Sequence, residues 1–176
     1  MTILAGVISL NPSVRIPDSV CDSLKKNISR DPTDHPIEFR YAQAFLVKVD
    51  IGAFDRPAHR VTPTGSIAIL AGEPLLTCEG PAGPDRYAHL EFLQTQWDKG
   101  DFKSLRSASG TFCAAYYDPC MGIAHLVADK LGLRPIYYTV VNDFIYFASA
   151  LRILEALSEI PKKLDVLAVA EITGFG

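Results

Sequence analysis

The stretch "ADKLGLRPIYYT", residues 128–139, gathers groups that could do chemistry: a carboxylate at Asp129 and phenolic hydroxyls at Tyr137 and Tyr138. Their spacing points to positioning instead. Asp129 is placed to accept local backbone N–H groups, Gly132 supplies backbone freedom, and Pro135 starts a strand where no ladder donor is needed. Asp85 and His89 stand about one helical turn apart and could face each other. His35, His59 and His125 have no acid or cysteine at metal-ligand spacing. The cysteines Cys21, Cys78, Cys113 and Cys120 form no CxxC pair and are scattered among apolar segments. They read as small core side chains in a reducing compartment, not as a disulfide or zinc framework, and no metal is expected.

With 176 residues, 48% hydrophobic and 21% charged, the chain can bury one substantial core and is too short for two ordinary domains. A single domain over 1–176 is expected. The net charge of −3 offers no basic field, so neither nucleic acid nor a membrane surface is an expected partner. Trp97 and the tyrosines at 116, 117, 137, 138 and 146 accordingly belong to core or interface stripes, with no basic groove beside them to make a base-stacking platform. The opening "TILAGVISL" is too short to span a bilayer and lacks the basic flank of a secretory signal. A cytoplasmic location is the expectation.

The elements that must position these groups follow from pattern. Residues 2–9 read as a buried strand, and Pro17 and Asp18 open a helix through about Asn27 with Val20, Leu24 and Ile28 on one stripe. The segments 37–49 and 65–76 read as two central strands separated by a Pro-rich break at 57–63. Asp85 suits a helix N-cap, with Tyr87, Leu90, Leu93 and Trp97 at helical spacing and an end near Lys99 and Gly100. Two hairpins follow, "SGTFCAAYYD" with "GIAHLVAD" and "RPIYYTVV" with "FIYFAS", read together as an antiparallel meander. Helices are expected over "ALRILEALSEI" and "KLDVLAVAEI". Two antiparallel sheets with helices on their outer faces would bury every stripe: an α+β, four-layer αββα sandwich. The apolar ending "EITGFG" suggests a boundary within a longer protein.

The segments "SGTFCAAYYD", "ADKLGLRPIYY" and "FASALRIL" resemble, in order and spacing, the class II glutamine amidotransferase domain that opens asparagine synthetases. That domain runs through a small-Gly-x-Phe-Ala strand, a Tyr-Asp turn, an Arg-Asp-x-Leu-Gly-x-Lys-Pro-Leu-Tyr-Tyr segment and a Phe-Ala-Ser-Glu helix start. The opening "MTILAGVISL" fits the family's Met-Cys-Gly-Ile-Ala-Gly-Val-Ile without a gap, and "LAGEPL" and "PDRYAHLEFL" extend the likeness over nearly the whole chain. The resemblance implies an N-terminal-nucleophile hydrolase-like fold that releases ammonia from glutamine for an ATP-using synthetase domain or subunit. Its nucleophile, a cysteine freed by removal of the initiator methionine, corresponds to Thr2. Threonine can attack when its own amine takes the hydroxyl proton, but a retained Met1 would lock that amine in an amide. The family's next glycine is Ile3, and a crowded site is expected there. Its Asn-Gly-Glu oxyanion segment is Ala71, Gly72 and Glu73, which keeps the glycine and loses the asparagine amide. The family's carboxylate-binding arginine has Arg30 as its nearest match, and its ammonium-binding aspartate has Asp85. The arginine before the family's turn acid is Ala128.

These departures lead us to expect a structural or regulatory glutaminase-like domain without glutaminase activity. A threonine-dependent amidohydrolase acting on glutamine or another small amide, and a stand-alone interaction module, are the alternatives. No cofactor is expected in the domain, since the chain has no Ser-Gly-Gly-x-Asp-Ser pyrophosphate loop. A synthetase domain or subunit is the implied partner, with a homodimer as a further arrangement.

Overall fold

The computed structural model describes residues 2–50, 52, 56–76, 85–163, 166–167 and 170. Nine strands form two antiparallel sheets among these residues. The first contains β1 (Ile3–Ser9), β2 (Ile37–Arg40), β3 (Ala44–Val49), β8 (Tyr137–Val141) and β9 (Phe144–Ala148), in the order β2-β3-β1-β9-β8. The second contains β4 (His59–Val61), β5 (Ile67–Leu75), β6 (Ser109–Asp118) and β7 (Ile123–Ala128), in chain order. The helices are α1 (Asp18–Ile28), α2 (Arg86–Trp97), α3 (Lys103–Ser107) and α4 (Leu151–Glu155).

Three apolar layers explain the stacking. Alternate residues of a strand point to opposite faces, so β1 sends Ile3, Ala5 and Val7 to one side and Leu4 and Ile8 to the other. The first set packs under α1, through Val20, Cys21, Leu24 and Ile28, and under α4. The second meets Ile67, Ile69, Ala71, Cys113 and Ala115 of the facing sheet. The far face of that sheet, with Ala68, Leu70, Phe112 and Ala114, packs against Leu90, Leu93 and Trp97 of α2. Both faces of both sheets are covered, and the αββα sandwich read from the sequence is the fold.

Several details differ from the pattern reading. Residues 37–49 form a hairpin rather than one strand: the N–H of Tyr41 bonds to the carbonyl of Ala44 at 2.8 Å, and β2 pairs back on β3 from Ile37↔Lys48 to Arg40↔Phe45. The Pro-rich break contains the short edge strand β4, whose pattern three residues cannot display. The helix expected over 150–160 is shorter, because the chain tightens at Ala156 and Leu157 and drops Leu157 into the core. The helix expected over "KLDVLAVAEI", the ending "EITGFG" and Cys78 fall largely or wholly outside the described residues. Cys21 and Cys113 are buried, but Cys120 is exposed in the tight turn after β6. That turn needs Asp118, whose carboxylate accepts the Cys120 and Met121 N–H groups, and it leaves the thiol outside.

The two late hairpins are not a continuous meander. β6–β7 lies in one sheet and β8–β9 in the other, so "ADKLGLRP" is the crossover between layers. Asp129 holds that corner: Oδ1 accepts the N–H groups of Leu131 and Leu133, both at 3.0 Å, and Oδ2 accepts that of Arg134 at 2.8 Å. Burial works to raise its carboxyl, but these amides outweigh it and hold it below the usual carboxylate range. Gly132 takes φ +65°, the left-handed conformation the corner requires. Asp129→Ala removes all three acceptances and is expected to cost about 2–3 kcal/mol, read from the urea midpoint at unchanged m-value.

Candidate functional site

At the start of β1 and the end of β3 the register sets Ile3 opposite Val49, which brings Thr2 and Asp50 together at the sheet's end. The Thr2 hydroxyl donates to Asp50 Oδ1 at 2.9 Å. The other carboxylate oxygen, Oδ2, receives the Lys48 ammonium at 2.9 Å and the Arg86 guanidinium at 3.1 Å. Lys48 and Asp50 share a strand face because they are two residues apart, and Lys48 points into the layer between the sheets. Its ammonium also donates to the carbonyl of Ala58 at 3.0 Å, which accepts the Leu70 N–H of β5 as well. A lysine side chain thus crosses from one sheet to the other. Arg86, the first residue of α2, adds a bond to the Arg56 carbonyl at 2.9 Å.

All four side chains are withdrawn from solvent. Thr2 is 4% exposed, Lys48 0% and Arg86 3%, and the Asp50 side chain 7%. One carboxylate therefore serves two buried cations. Burial tends to raise the Asp50 carboxyl, but Lys48, Thr2 and Arg86 together hold it below its ordinary value. Lys48 shows the opposite imbalance: burial pulls its ammonium down to about 8, Asp50 offsets part of that, and Arg86 adds repulsion. His59, close by on β4, is lowered by burial and then by the Lys48 charge. Cys113 on β6 is pushed up to about 12 by burial, with Arg134 and Lys48 offsetting part of the effect. Its thiol is held neutral and is not an available nucleophile.

The structure gathers some of the expected site residues and separates others. Thr2 enters the buried cluster. Gly72, in β5 opposite Phe112, lies two residues beyond Leu70 at the same end of the sandwich and takes φ +88°. Ile3 does not crowd the Thr2 hydroxyl, because it packs on the helix-side face. Asp85 caps α2, its Oδ1 accepting the Ala88 N–H at 2.7 Å, and is exposed. Arg30 is exposed in a cleft of about 570 Å³ outside the first sheet, where Ile3, His35, Asp50 and Arg152 also contribute. Asp31 and Asp34 in that cleft already accept from Thr33 and Ser29. His125 stacks on Tyr116 with ring centroids 5.5 Å apart. Among the described residues no three His, Cys, Asp or Glu side chains cluster as a metal site, and no helix is long and apolar enough to cross a membrane.

Lys48, Asp50 and Arg86 were not singled out by sequence. The signal was present: "FLVKVD" places a lysine and an aspartate at inward positions of an otherwise apolar strand, where charges are rarely tolerated unpaired.

Residues 90–175 match the family model of the glutamine amidotransferase domain. Over those residues the chain is similar to a glutamine amidotransferase domain. The match takes in most of α2, both late hairpins and the Asp129 crossover, while Thr2, Asp50, Gly72 and Arg86 precede it. No curated protein matches the chain.

The charge cluster gives a stability test. Asp50→Ala strips the counter-charge from two buried cations and is expected to cost about 3–5 kcal/mol. Lys48→Met removes a group whose burial is under-compensated and should change stability by no more than about 1 kcal/mol in either direction. Between pH 8 and the unfolded lysine value near 10.5, the folded protein has shed the Lys48 proton and the unfolded chain has not. The contribution of this group to stability thus rises with pH through that window, and the rise should vanish in Lys48→Met when urea titrations are repeated across pH.

Proposed function

We propose that this amidotransferase domain is a structural or regulatory member of an asparagine synthetase-like system, without glutaminase turnover of its own. The observation that carries the reading is the state of Thr2. Its hydroxyl proton is committed to Asp50, a carboxylate held below its usual range and so a weak base. Lys48, the neighbour with a value nearest neutrality, is bonded to the other oxygen of Asp50 and to Ala58, and supplies Thr2 with no direct acceptor among its hydrogen bonds. A threonine hydroxyl needs an adjacent base to attack an amide.

The oxyanion side supports the same reading. Ala71 carries no side-chain amide, and the loss of one such oxyanion donor typically slows acyl transfer by about 100- to 1000-fold. The described residues keep four layers and a hydrogen-bonded crossover, which suits a domain kept for what it binds or holds. Its partner in this reading is an ATP-dependent synthetase domain or subunit that draws on another source of ammonia or another nitrogen donor.

Ammonia release from glutamine, followed with purified protein whose N-terminus has been defined by intact mass, tests the proposal. Background release, the same in wild type and Thr2→Ala, is the expected result. Turnover that Thr2→Ala abolishes would overturn it in favour of a threonine nucleophile freed by loss of Met1.

A further inference from the structure

We propose that the cavity between the end of α2 and strands β6 and β7 binds an alkylammonium ion, with the charge on Asp98 and Asp118 and the apolar body on the aromatic rings beside them. This cavity lies on the outer face of the second sheet, in the layer that α2 covers, whereas Thr2 and Asp50 meet at the end of the first sheet. Occupancy there does not depend on whether Thr2 can attack.

The wall is aromatic and uncharged. Trp97, the last residue of α2, meets Tyr116 of β6 edge-on with ring centroids 5.8 Å apart, and His125 of β7 stacks on Tyr116 while meeting Phe102 edge-on at 4.7 Å. These four rings line one space of about 340 Å³, within the range of small-ligand pockets. Burial lowers His125, so its imidazole is neutral at pH 7. Burial also raises the Tyr116 phenol, and its bond to Asp98 raises it further, so it stays protonated. Neutral rings of this kind attract a cation held over their faces within about 6 Å. Met121, 69% exposed, adds a flexible apolar side chain to the same lining.

The counter-charge belongs to the same lining. Asp98 Oδ1 accepts the Tyr116 hydroxyl at 2.7 Å and the Ser66 hydroxyl at 2.8 Å, and Asp118 Oδ1 accepts the two turn amides already described. The Oδ2 atom of each carboxylate makes no hydrogen bond, and neither group forms an ion pair, among the described residues. Both charges act on the Tyr116 phenol, which sets them at one place. Lys99 is the cation of the lining; it is exposed and pairs with neither carboxylate. Asp101 and Lys103, next along the chain, are joined by the Lys103 N–H to Asp101 Oδ1 and do not line the cavity. Two carboxylates against one ammonium leave the lining acidic, with two acceptor oxygens unspent. An ammonium group supplies the donors these oxygens lack, and an alkyl chain on it supplies the surface the rings would cover.

Trp97 is the only tryptophan, and its Nε1–H is buried without an acceptor among the described residues, so its nuclear magnetic resonance signal is a single reporter at this wall. Titration of the ¹⁵N-labelled protein with n-butylammonium chloride should shift that signal saturably, while n-butanol and sodium chloride at matched concentrations leave it in place. Asp98→Asn and Asp118→Asn, which keep an acceptor oxygen for the existing bonds, should each weaken binding about two- to fivefold, and Phe102→Leu by a similar factor. Lys99→Met removes the competing cation and should strengthen binding about twofold. Absence of a saturable shift, an equal response to n-butanol, affinity unchanged in both carboxylate variants, or affinity lowered by Lys99→Met would each overturn the assignment. Should Asp98→Asn lose its dispersed spectrum, Asp118→Asn and Lys99→Met decide by the same signs.

Discussion

The Asp50 carboxylate is the constraint around which one end of this domain is built. It joins three elements that are far apart in sequence: the first residues of β1 through Thr2, the end of β3 through Lys48, and the start of α2 through Arg86. Because Lys48 also reaches the Ala58 carbonyl beside β5, a single anion holds the two sheets and the outer helix of the second sheet in register. Apolar packing could fill this space without penalty for burying charge. What the ion cluster adds is direction, since each donor is tied to named acceptors, and it fixes Thr2 against Asp50.

That arrangement has a chemical consequence. The groups that fix Thr2 in place also occupy its hydroxyl and both oxygens of Asp50. A carboxylate that neutralises two cations is a poor proton acceptor, and a hydroxyl bonded to it is a poor nucleophile. Gly72 and Arg134 are organised differently, Gly72 by its positive φ and Arg134 by the bond from its N–H to the Asp129 corner.

How much of this the sequence discloses depends on whether the determining interaction is local. Periodicity finds β1, α1 and α2 because their apolar stripes are long, and the Asp85 cap is readable because capping acts across three residues. The β2–β3 turn is missed because Tyr41, Ala42 and Gln43 carry no glycine or proline, and only tertiary pairing shows that the chain reverses there. The split of the two late hairpins between sheets is hidden for a related reason: hairpin chemistry specifies which neighbours pair, and says nothing about which layer a pair joins. Thr2 and Gly72 are legible through resemblance, and their geometry is not, because the partners that define it lie 48 residues from Thr2 in one case and beyond β6 and β7 in the other.

The same reasoning explains why "ADKLGLRP" draws attention out of proportion to its chemistry. Its residues satisfy one another: Asp129 takes three amides, Gly132 turns through positive φ, and Pro135 needs no donor at the entry to β8. The segment leaves two charged side chains over, those of Lys130 and Arg134. Of these, Arg134 lies with its stem against Gly72 of β5. The corner is therefore structural in its main chain, and through Arg134 it packs onto β5 of the second sheet.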